Sequence, residues 1–549
     1  MPKRSASSIS KRPADETGKS STSISAKSTP SKNTAGNLIV VLGDQLDLQN
    51  PLLRNADRHR DVICMAEVHR EATHVWCHKS RLVFFFSAMR HFAEELREQG
   101  FQVWYHHLRE DPNQDLADSL GGTLRAACKQ HTPERVLMLE AGDYRVQAEI
   151  LKACQEISVP LDVHDDPHYL LPQSQFRNWA GDKKNLILEH FYRWMRKRYE
   201  VLLDENKQPV GGDWNFDSDN RKTFGKSGPT DIAETPRFSP DTITREVIDM
   251  VAKRFAKHPG SIDSFDLPVT RKDALRALKA FIKERLSKFG DYQDAMWEGA
   301  EELNHSRLSP MLNIHLLNPR EVIAAAEEAY HSGRAPLNSV EGFIRQILGW
   351  REFIRGIYWM NMPRYESMNY FAAEGKLPQF FWDGKTEMKC VADSMRLVVN
   401  KAYAHHIQRL MVLGLLAQML GVDPLEFHQW HMAMYSDAID WVSLPNTVGM
   451  SQFADGGIVG TKPYCATGAY IDRMSNYCKS CRFDPKVAVG DKACPFTTLY
   501  WDFLDRNLPK IENNQRLKFQ LTALRNKDEK FMREARSKAK ELMKAWKVH

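Results

Sequence analysis

Short apolar runs alternate with longer amphipathic segments over the first third of the chain. The runs that predict buried strands are Leu38–Leu42, Val62–Met65, Val103–Tyr105 and Val136–Leu139. Residues 82–100 and 116–130 repeat their apolar positions at helical spacing and predict helices between the strands. Strands that alternate with helices predict a parallel α/β sheet.

From about residue 241 the apolar spacing is helical almost to the C-terminus. The longest predicted helices cover residues 270–289, 341–359, 402–420 and 516–546. Residues 204–240 are rich in Gly, Pro, Asp, Asn and Lys, which predicts an interdomain connection. A chain of 549 residues is too long for one core. We therefore expect an α/β domain at 37–170, a basic helix and linker at 171–240, and an all-helical domain at 241–549.

The net charge of +6 lies mainly in residues 1–36, which carry seven Lys or Arg against two acids. This stretch has almost nothing apolar to bury, so we expect a disordered basic tail. The remainder is close to neutral, and a nucleic-acid partner therefore requires a local basic patch.

The apolar runs are short, and none approaches the ~18–20 residues of a membrane span. The N-terminus also lacks the apolar core of a signal peptide. We expect a monomer without a membrane partner, in a bacterial cytoplasm near the nucleoid. The basic tail leaves a nucleus or an organelle open.

Candidate metal ligands lie between Cys390 and Cys494. Cys478 and Cys481 stand at C-x-x-C spacing, and a proline follows Cys494 directly. Four thiolates satisfy either a [4Fe–4S] cluster or a tetrahedral Zn²⁺. Spacing alone leaves Cys390 and Cys465 as competitors for the fourth place. The cysteines expected to be buried free thiols in a reducing compartment are Cys64, Cys77, Cys128 and Cys154.

A second concentration of chemistry lies between these cysteines, in an apolar helical region. It combines paired imidazoles, an Arg–Asp couple and tryptophan, which is typical of a redox-cofactor pocket. Its main members are His405, His406, Arg409, Trp430 and Asp437.

Polar side chains follow two of the predicted strands, where ligands of parallel sheets bind. They are Asp44, Gln45, Glu67 and Glu71, which could hydrogen-bond a polar heterocycle or only cap loops. No Gly-rich phosphate fingerprint is present there, which disfavours a dinucleotide. Further along, the turn Ser306–Ser309 opens a helix and could hold a diphosphate.

Residues 181–199 interleave cations with aromatic side chains, a pattern typical of nucleic-acid contact. An amphipathic helix with a solvated basic face explains the same pattern equally well. The cations of interest are Lys183, Lys184, Arg193 and Arg196.

Several stretches taken together resemble one family. They are Leu42–Leu46, Ser87–Phe92, Ser306–Pro310, Gly349–Phe353, His405–Arg409, Met450–Gly456 and the cysteine set. From about residue 37 onward the chain resembles the prokaryotic (6-4) photolyases, the iron–sulfur branch of the cryptochrome/photolyase superfamily.

The resemblance implies a Rossmann-like antenna domain with a parallel sheet, followed by an all-α FAD-binding domain. It implies FAD, a [4Fe–4S] cluster rather than zinc, and a 6,7-dimethyl-8-ribityllumazine antenna. The cluster ligands would be Cys390, Cys478, Cys481 and Cys494, which settles the competition with Cys465. The antenna would contact Asp44, Gln45, Glu67 and Glu71.

The same resemblance assigns the remaining site residues. His406 matches the active-site histidine, His405 would orient it, and Trp430 and Trp382 match aromatics proposed to pass electrons. The flavin-contacting set is expected to be Tyr292, Ser306, Leu308, Ser309, Gln346, Arg351, Arg409, Asp437 and Ser443. The expected DNA contacts are Lys183, Lys184, Arg193, Arg196 and Tyr464.

Two positions differ from what the wider family would suggest. Leu410 stands where eukaryotic (6-4) photolyases have a second histidine, which the prokaryotic branch also lacks. Ser443 should face flavin N5, where an acid or amide is expected, and this leaves the resting redox state of the flavin open.

The implied activity is light-driven repair of (6-4) photoproducts in UV-damaged DNA. A blue-light receptor that signals without repair would use the same pocket, and cyclobutane dimers are the competing substrate. The cysteines alone would also suit a primase-like or zinc-binding DNA module.

Overall fold

A five-stranded parallel sheet forms the N-terminal part of the protein, which a computed structural model describes over residues 36–549. The strands are Leu38–Val40 (β1), Val62–Ala66 (β2), Gln102–His106 (β3), Val136–Leu139 (β4) and Leu161–His164 (β5). Their order is β3-β2-β1-β4-β5, and all pairs are parallel. The predicted parallel sheet is confirmed. The edge strand β5 was not predicted, because its half-exposed sequence has no apolar run.

Helices connect the strands and cover the sheet. They are Pro51–Arg54 (α1), His69–Thr73 (α2), Lys79–Glu98 (α3), Leu120–His131 (α4), Tyr144–Glu156 (α5), Gln173–Ala180 (α6) and Leu188–Tyr199 (α7). Side-chain caps fix where two of them begin: Ser119 accepts from the Gly122 amide at α4, and Asp143 accepts from the Arg145 amide at α5.

The two faces of the sheet pack into different cores. Leu38 and Val40 belong to a small cluster that α4 and α5 close. Ile39 points to the other face and joins a core that continues through the helical half as far as Val548. This alternation along β1 follows the two-residue period of a strand. Because one core crosses both halves, residues 36–549 form one compact unit, and the division at 37–170 and 241–549 stays a prediction.

The second half is helical after irregular backbone at residues 200–241. Its α-helices are Thr242–Arg254 (α8), Arg271–Glu284 (α9), Leu286–Tyr292 (α10), Ser309–Asn313 (α11), Pro319–His331 (α12), Leu337–Ile344 (α13), Glu352–Asn361 (α14), Phe380–Asp383 (α15), Lys389–Lys401 (α16), Leu415–Leu420 (α17), Pro424–Met434 (α18), Asp440–Leu444 (α19), Gly468–Met474 (α20), Pro495–Arg506 (α21), Leu508–Ile511 (α22), Lys518–Arg525 (α23) and Glu529–Ala545 (α24).

Three π-helical segments interrupt this half, at Arg345–Arg351, Gln408–Gly414 and Pro445–Ser451. A π-helical turn inserts a residue into the α-helical repeat and often marks a functional site. All three segments contribute side chains to the same cavity.

The predicted helix at 402–420 begins later in the structure. Ala402 ends α16 in the left-handed conformation, with φ at 48°, and residues 402–405 form a loop. The next helix therefore starts at His406, so that His405 comes from a loop and His406 from a helix. The predicted terminal helix at 516–546 is also divided, because Asp528 caps the start of α24.

No helix within residues 36–549 is long and apolar enough to cross a membrane. The predicted tail at 1–36 lies outside the described residues except for Gly36.

Candidate flavin and DNA site

A cavity of about 1260 Å³ lies in the helical half, between the three π-helical segments. Pockets for drug-sized ligands usually measure about 300–1,000 Å³, so this one has room for a large cofactor and a further group. Its predicted lining residues are Ser306, Ser309, Gln346, Arg351, His405, His406, Arg409, Asp437, Ser443 and Tyr464.

Arg409 and Asp437 meet at the cavity wall as a two-pronged ion pair. The Nη1–Oδ1 distance is 2.9 Å and the Nη2–Oδ2 distance is 3.1 Å. The Arg409 guanidinium also lies 3.9 Å from the ring centre of Tyr435. Burial acts to raise the pKa of Asp437, but Arg409 and the Ser309 hydroxyl outweigh it, so the pKa lies below its ordinary value. The pair is therefore charged at neutral pH.

The start of α11 is tied to this ion pair. The Ser309 hydroxyl donates to Asp437 Oδ2 at 2.6 Å, and the Asn313 amide donates to the Asp437 carbonyl at 2.7 Å. The Ser306 hydroxyl accepts the Leu308 amide at 3.3 Å. The predicted diphosphate turn thus lies beside the Arg–Asp pair.

Two of the predicted flavin contacts lie elsewhere. Leu308 is buried in the core and is not part of the cavity lining. Tyr292 ends α10, where its ring stacks on Phe224 with centroids 4.5 Å apart, and it does not line the cavity either. Its neighbours Gln293 and Asp294 do. Tyr292 and Leu308 therefore stay predictions as flavin contacts, while residues next to them in the chain line the cavity.

Three imidazoles cluster in the lining close to Arg409. His305 and His405 stack with ring centroids 4.4 Å apart and planes at 9°. His406 lines the cavity, and its side chain is exposed there. Burial, and then the charge of Arg409, lowers the pKa of His406 to about 4. Burial, and then His406 and Arg285, lowers the pKa of His305 to about 3.

Several buried polar atoms around the cavity have no hydrogen-bond partner within residues 36–549. They are Ser443 Oγ, His431 Nδ1, His405 Nδ1, His305 Nε2 and Arg351 Nε. Leaving a buried polar atom unpaired costs about 1–3 kcal/mol. A set of donors and acceptors around one cavity therefore fits a polar, heteroaromatic ligand such as a flavin.

Arg351 and Gln346 reach the cavity in different ways. Arg351 is buried and is held by the Asn313 side chain, the Leu312 carbonyl and His168. Gln346 is exposed, and its amide donates to the Gly342 carbonyl at 3.0 Å. Both lie on the first π-helical segment.

The two predicted electron-transfer tryptophans lie on one side of the cavity. Trp430 is buried, donates to the Phe381 carbonyl at 2.7 Å, and stacks on Phe427, which lines the cavity. Trp382 follows Phe381 in the chain and contacts Trp76 with ring centroids 5.1 Å apart. Trp76 is 48% exposed, so aromatic rings extend from the cavity to the surface.

The four predicted cluster ligands interact electrostatically. Burial, and then the charges of Cys494, Cys478 and Cys481, raises the pKa of Cys390. Cys465 shows no such interaction with these four. Among residues 36–549, however, no group of three or more His, Cys, Asp or Glu side chains is arranged to hold a single metal ion. In a cubane cluster each thiolate binds a different iron, so the sulfurs stand further apart than around one ion. Cysteine thiolates are the donors that such a cluster binds.

Unpaired basic side chains surround the mouth of the cavity. Arg221, Lys462, Arg473 and Arg516 line it, and none has a salt bridge to another residue of the described chain. Positive groups without a salt bridge are suited to DNA phosphates. Sequence reasoning missed all four, because they are scattered singly along the chain.

The predicted basic segment reaches this mouth only in part. Residues 186–189, at the start of α7, line the cavity. Lys183 and Lys184 lie just before them with exposed side chains, and the Lys183 amine also donates to the Trp179 carbonyl. Arg193 is exposed but forms an ion pair with Glu189 at 2.7 Å. Arg196 was assigned wrongly as a DNA contact: it is buried and donates to the carbonyls of residues 201, 202 and 214.

A second cavity of about 170 Å³ lies at the carboxyl ends of β1 and β2. Asp44, Glu67 and Glu71 line it, and burial raises the pKa of Asp44 to about 6. Glu67 is already paired with Arg90, and Glu71 with Arg145. Among these three acids, Asp44 is the one without a salt bridge to another residue of the described chain.

Gln45 does not belong to this second cavity. Its side-chain amide donates to the Glu140 carbonyl at 2.8 Å, and its side-chain oxygen accepts the Leu42 amide. The prediction that Gln45 contacts an antenna gains no support from this placement, since its polar atoms form hydrogen bonds around the loop after β1.

Comparison with known proteins identifies the class. The fold is similar to a class III photolyase from Agrobacterium tumefaciens, with a TM-score of 0.54 and 16% identity over 95% of this chain and all of that one. It is also similar to a cryptochrome from Synechocystis, with a TM-score of 0.53 and 14% identity over 88% of this chain and 91% of that one. The architecture is that of the photolyase and cryptochrome class.

Sequence similarity narrows this class. A family profile for "Deoxyribodipyrimidine photo-lyase-related protein" matches residues 39–267. A curated (6-4) photolyase from Agrobacterium fabrum is 48% identical over 482 residues, which are 87% of this chain and 94% of that protein. The chain belongs to the (6-4) photolyase family.

Proposed function

We propose that this protein is a (6-4) DNA photolyase, an enzyme that repairs (6-4) pyrimidine–pyrimidone photoproducts in UV-damaged DNA when it is illuminated. The observation that carries the proposal is the convergence of the Arg409–Asp437 pair and His406 on one cavity with a basic mouth. FAD, bound in its reduced form and excited by light, would supply one electron to the lesion and take it back once the two pyrimidines are restored, so that repair involves no net oxidation or reduction. Family membership supports the same activity.

The chain's own residues would hold the flavin in three ways. The Arg409–Asp437 pair would place a fixed charge couple beside the isoalloxazine ring. Ser306 and Ser309 lie on the turn that begins α11 and could bind the diphosphate. Ser443 offers an unpaired hydroxyl to the ring nitrogen N5.

His406 would move the proton that the rearrangement of the lesion requires. The lesion would be flipped out of the duplex, which costs least at an already poorly stacked step. His406 would donate a proton to the lesion and take it back afterwards, so repair consumes no net proton. Burial and Arg409 lower its pKa in the DNA-free protein, and the phosphates of bound DNA would act to raise that pKa and favour donation.

The four cysteines would hold a [4Fe–4S] cluster that joins distant parts of the helical half. Cys390 lies on α16, Cys478 and Cys481 lie on one short turn, and Cys494 immediately precedes α21. Four bonds to one cluster would fix these segments together without any electron transfer. The mutual electrostatic interaction of the thiols supports this assignment.

The second cavity would hold the 6,7-dimethyl-8-ribityllumazine antenna. Its wall is mainly apolar, which suits a flat heterocycle, and Asp44 could accept a hydrogen bond from a ring N–H. Chromatography of the chromophores released from the native protein would test the antenna.

Trp430 and Trp382 would conduct electrons from the surface during reduction of the flavin, a role that their ring contacts support.

Repair of defined oligonucleotides tests the proposed function. Reduced holoenzyme is incubated with duplexes that carry either one (6-4) photoproduct or one cyclobutane dimer, in blue light and in the dark. We expect light-dependent loss of the (6-4) product only. Repair of the cyclobutane dimer alone would reassign the substrate, and a bound, light-responsive flavin without repair of either lesion would favour a receptor.

A further inference from the structure

Phe519 is the most exposed of the large hydrophobic side chains in the described chain, at 87%. It lies in the first turn of α23, whose buried face consists of Leu521 and Leu524 and is extended by Leu517. Phe519 is two positions from Leu517 and from Leu521, which places it on the opposite face of the helix. Within residues 36–549 it makes no contact with another aromatic ring or with a cation.

This phenylalanine stands beside the mouth of the main cavity. Arg516 lines the cavity, and Phe519 follows it after three residues, across the short 3-10 turn that leads into α23. The Asn514 side chain fastens the same segment to the Thr461 carbonyl, on the cavity rim, at 3.2 Å. The start of α23 is thus fixed at the edge of the cavity.

The surroundings of Phe519 are positively charged. Arg516, Lys518 and Arg525 are all exposed, and none has a salt bridge within the described chain. A single exposed hydrophobic side chain is ordinary on a protein surface. An exposed phenyl ring among unpaired cations, beside a cavity that would receive a flipped base, is suited to a nucleic-acid partner.

We propose that Phe519 is a positioning residue that inserts into the lesion-bearing duplex and fills the space left by the flipped photoproduct. The proposal rests on the proposed function, because it requires a lesion that leaves the base stack. Proteins that kink or open DNA commonly insert an apolar wedge between base steps. The phenyl ring would stack on the bases next to the gap, while Arg516 and Lys518 contact the flanking phosphates.

Binding in the dark tests the proposal with holoenzyme and a (6-4)-containing oligonucleotide, offered as a duplex and as a single strand. F519A should bind the duplex roughly 5- to 150-fold more weakly, which is the range found when a base-stacking aromatic is removed. Its affinity for the single strand should be unchanged, because a single strand leaves no gap to fill. F519W should retain duplex binding, and L116A, at a residue that is 61% exposed on the N-terminal half, is the matched control.

Two further readouts make the outcome decisive. A fluorescent base analogue opposite the lesion should brighten on binding to wild type but less with F519A, and the salt dependence of binding should not change. The proposed insertion of Phe519 would be contradicted if F519A and wild type bound the duplex equally well. It would also be contradicted if F519A lost affinity equally for the duplex and the single strand. Wild type that repairs neither substrate in light would instead overturn the proposed function.

Discussion

The Arg409 guanidinium and the Asp437 carboxylate face each other through two contacts, of 2.9 and 3.1 Å, at the wall of the main cavity. Taking two charges out of water is expensive, and a buried ion pair is weak evidence for stability. The pair also joins the second π-helical segment to the loop after α18 and accepts Ser309. We infer that the Arg409–Asp437 pair serves to bind the cofactor rather than to stabilise the fold.

The first prediction concerns this pair. Asp437→Asn keeps the shape of the side chain but leaves the Arg409 charge buried and unpaired. We expect loss of most bound flavin and destabilisation of about 3–5 kcal/mol, the usual cost of removing one partner of a buried pair. Flavin absorbance per chain and denaturant unfolding measure the two effects.

A surface pair supplies the control for this change. Arg135 and Asp162 lie 2.9 Å apart and are about half exposed, so D162N should change stability by less than about 1 kcal/mol and leave flavin content unchanged. Full flavin loading of D437N would show that the buried pair does not hold the cofactor.

The second prediction is that His406 is neutral in the DNA-free protein at pH 7. Burial lowers its pKa in the folded chain to about 4, below the unfolded value near 6.5. The unfolded chain therefore binds more protons between these values, and His406 favours unfolding as the pH falls from 6.5 towards 4. Histidine NMR should show a titration near pH 4 that moves upward when lesion-bearing DNA binds. A free-protein pKa of 6.5 or above would contradict the geometry.

The sequence predicted the sheet and the helical half well, since β1, β2 and β4 are apolar runs and the long helices repeat every three to four residues. The sequence-based prediction failed for residues whose role depends on the direction in which the side chain points. Arg196 belongs to a basic run, yet helical rotation turns it inward to three backbone carbonyls. Gln45 follows β1 as a ligand-binding residue would, but its amide closes the loop.

Other features depend on contacts between remote segments. The stack of His305 on His405 joins residues 100 positions apart, and no periodicity signals it. The π-helical segments at Arg345–Arg351 and Gln408–Gly414 have the apolar spacing of an ordinary helix, because one inserted residue barely alters that spacing. The basic mouth likewise comes from single residues on separate elements.

The third prediction concerns the cysteines. Cys478→Ser should yield insoluble protein or protein without iron and flavin, because α16 would no longer be fixed to the segment around Cys494. Cys465→Ser is the matched control: this thiol is close in sequence but lacks the electrostatic interaction with the four. Iron per chain and the thermal midpoint measure the result. Soluble C478S with full iron would remove Cys478 from the ligand set.

The fourth prediction separates two roles within the basic segment. Lys183→Ala combined with Lys184→Ala should weaken DNA binding of all sequences and reduce the salt slope by about two, if each lysine neutralises one phosphate as proposed. Their side chains are exposed, so stability should not change.

Arg196→Ala should lower the stability of the protein and leave the salt dependence of DNA binding unchanged. It leaves three carbonyls without their buried donor, and an unpaired buried group costs about 1–3 kcal/mol. We expect a lower thermal midpoint and an unchanged salt slope. A lower slope at full stability would restore Arg196 as a DNA contact.

Single-turnover repair by wild type and His406→Ala, under the same dose of blue light, tests the central claim most directly. Both proteins should bind flavin and the (6-4) duplex. Wild type should restore the two pyrimidines in light and not in the dark, and H406A should leave the lesion intact. Wild type that leaves the lesion unchanged in light, or H406A that repairs it at the wild-type rate, would contradict the account.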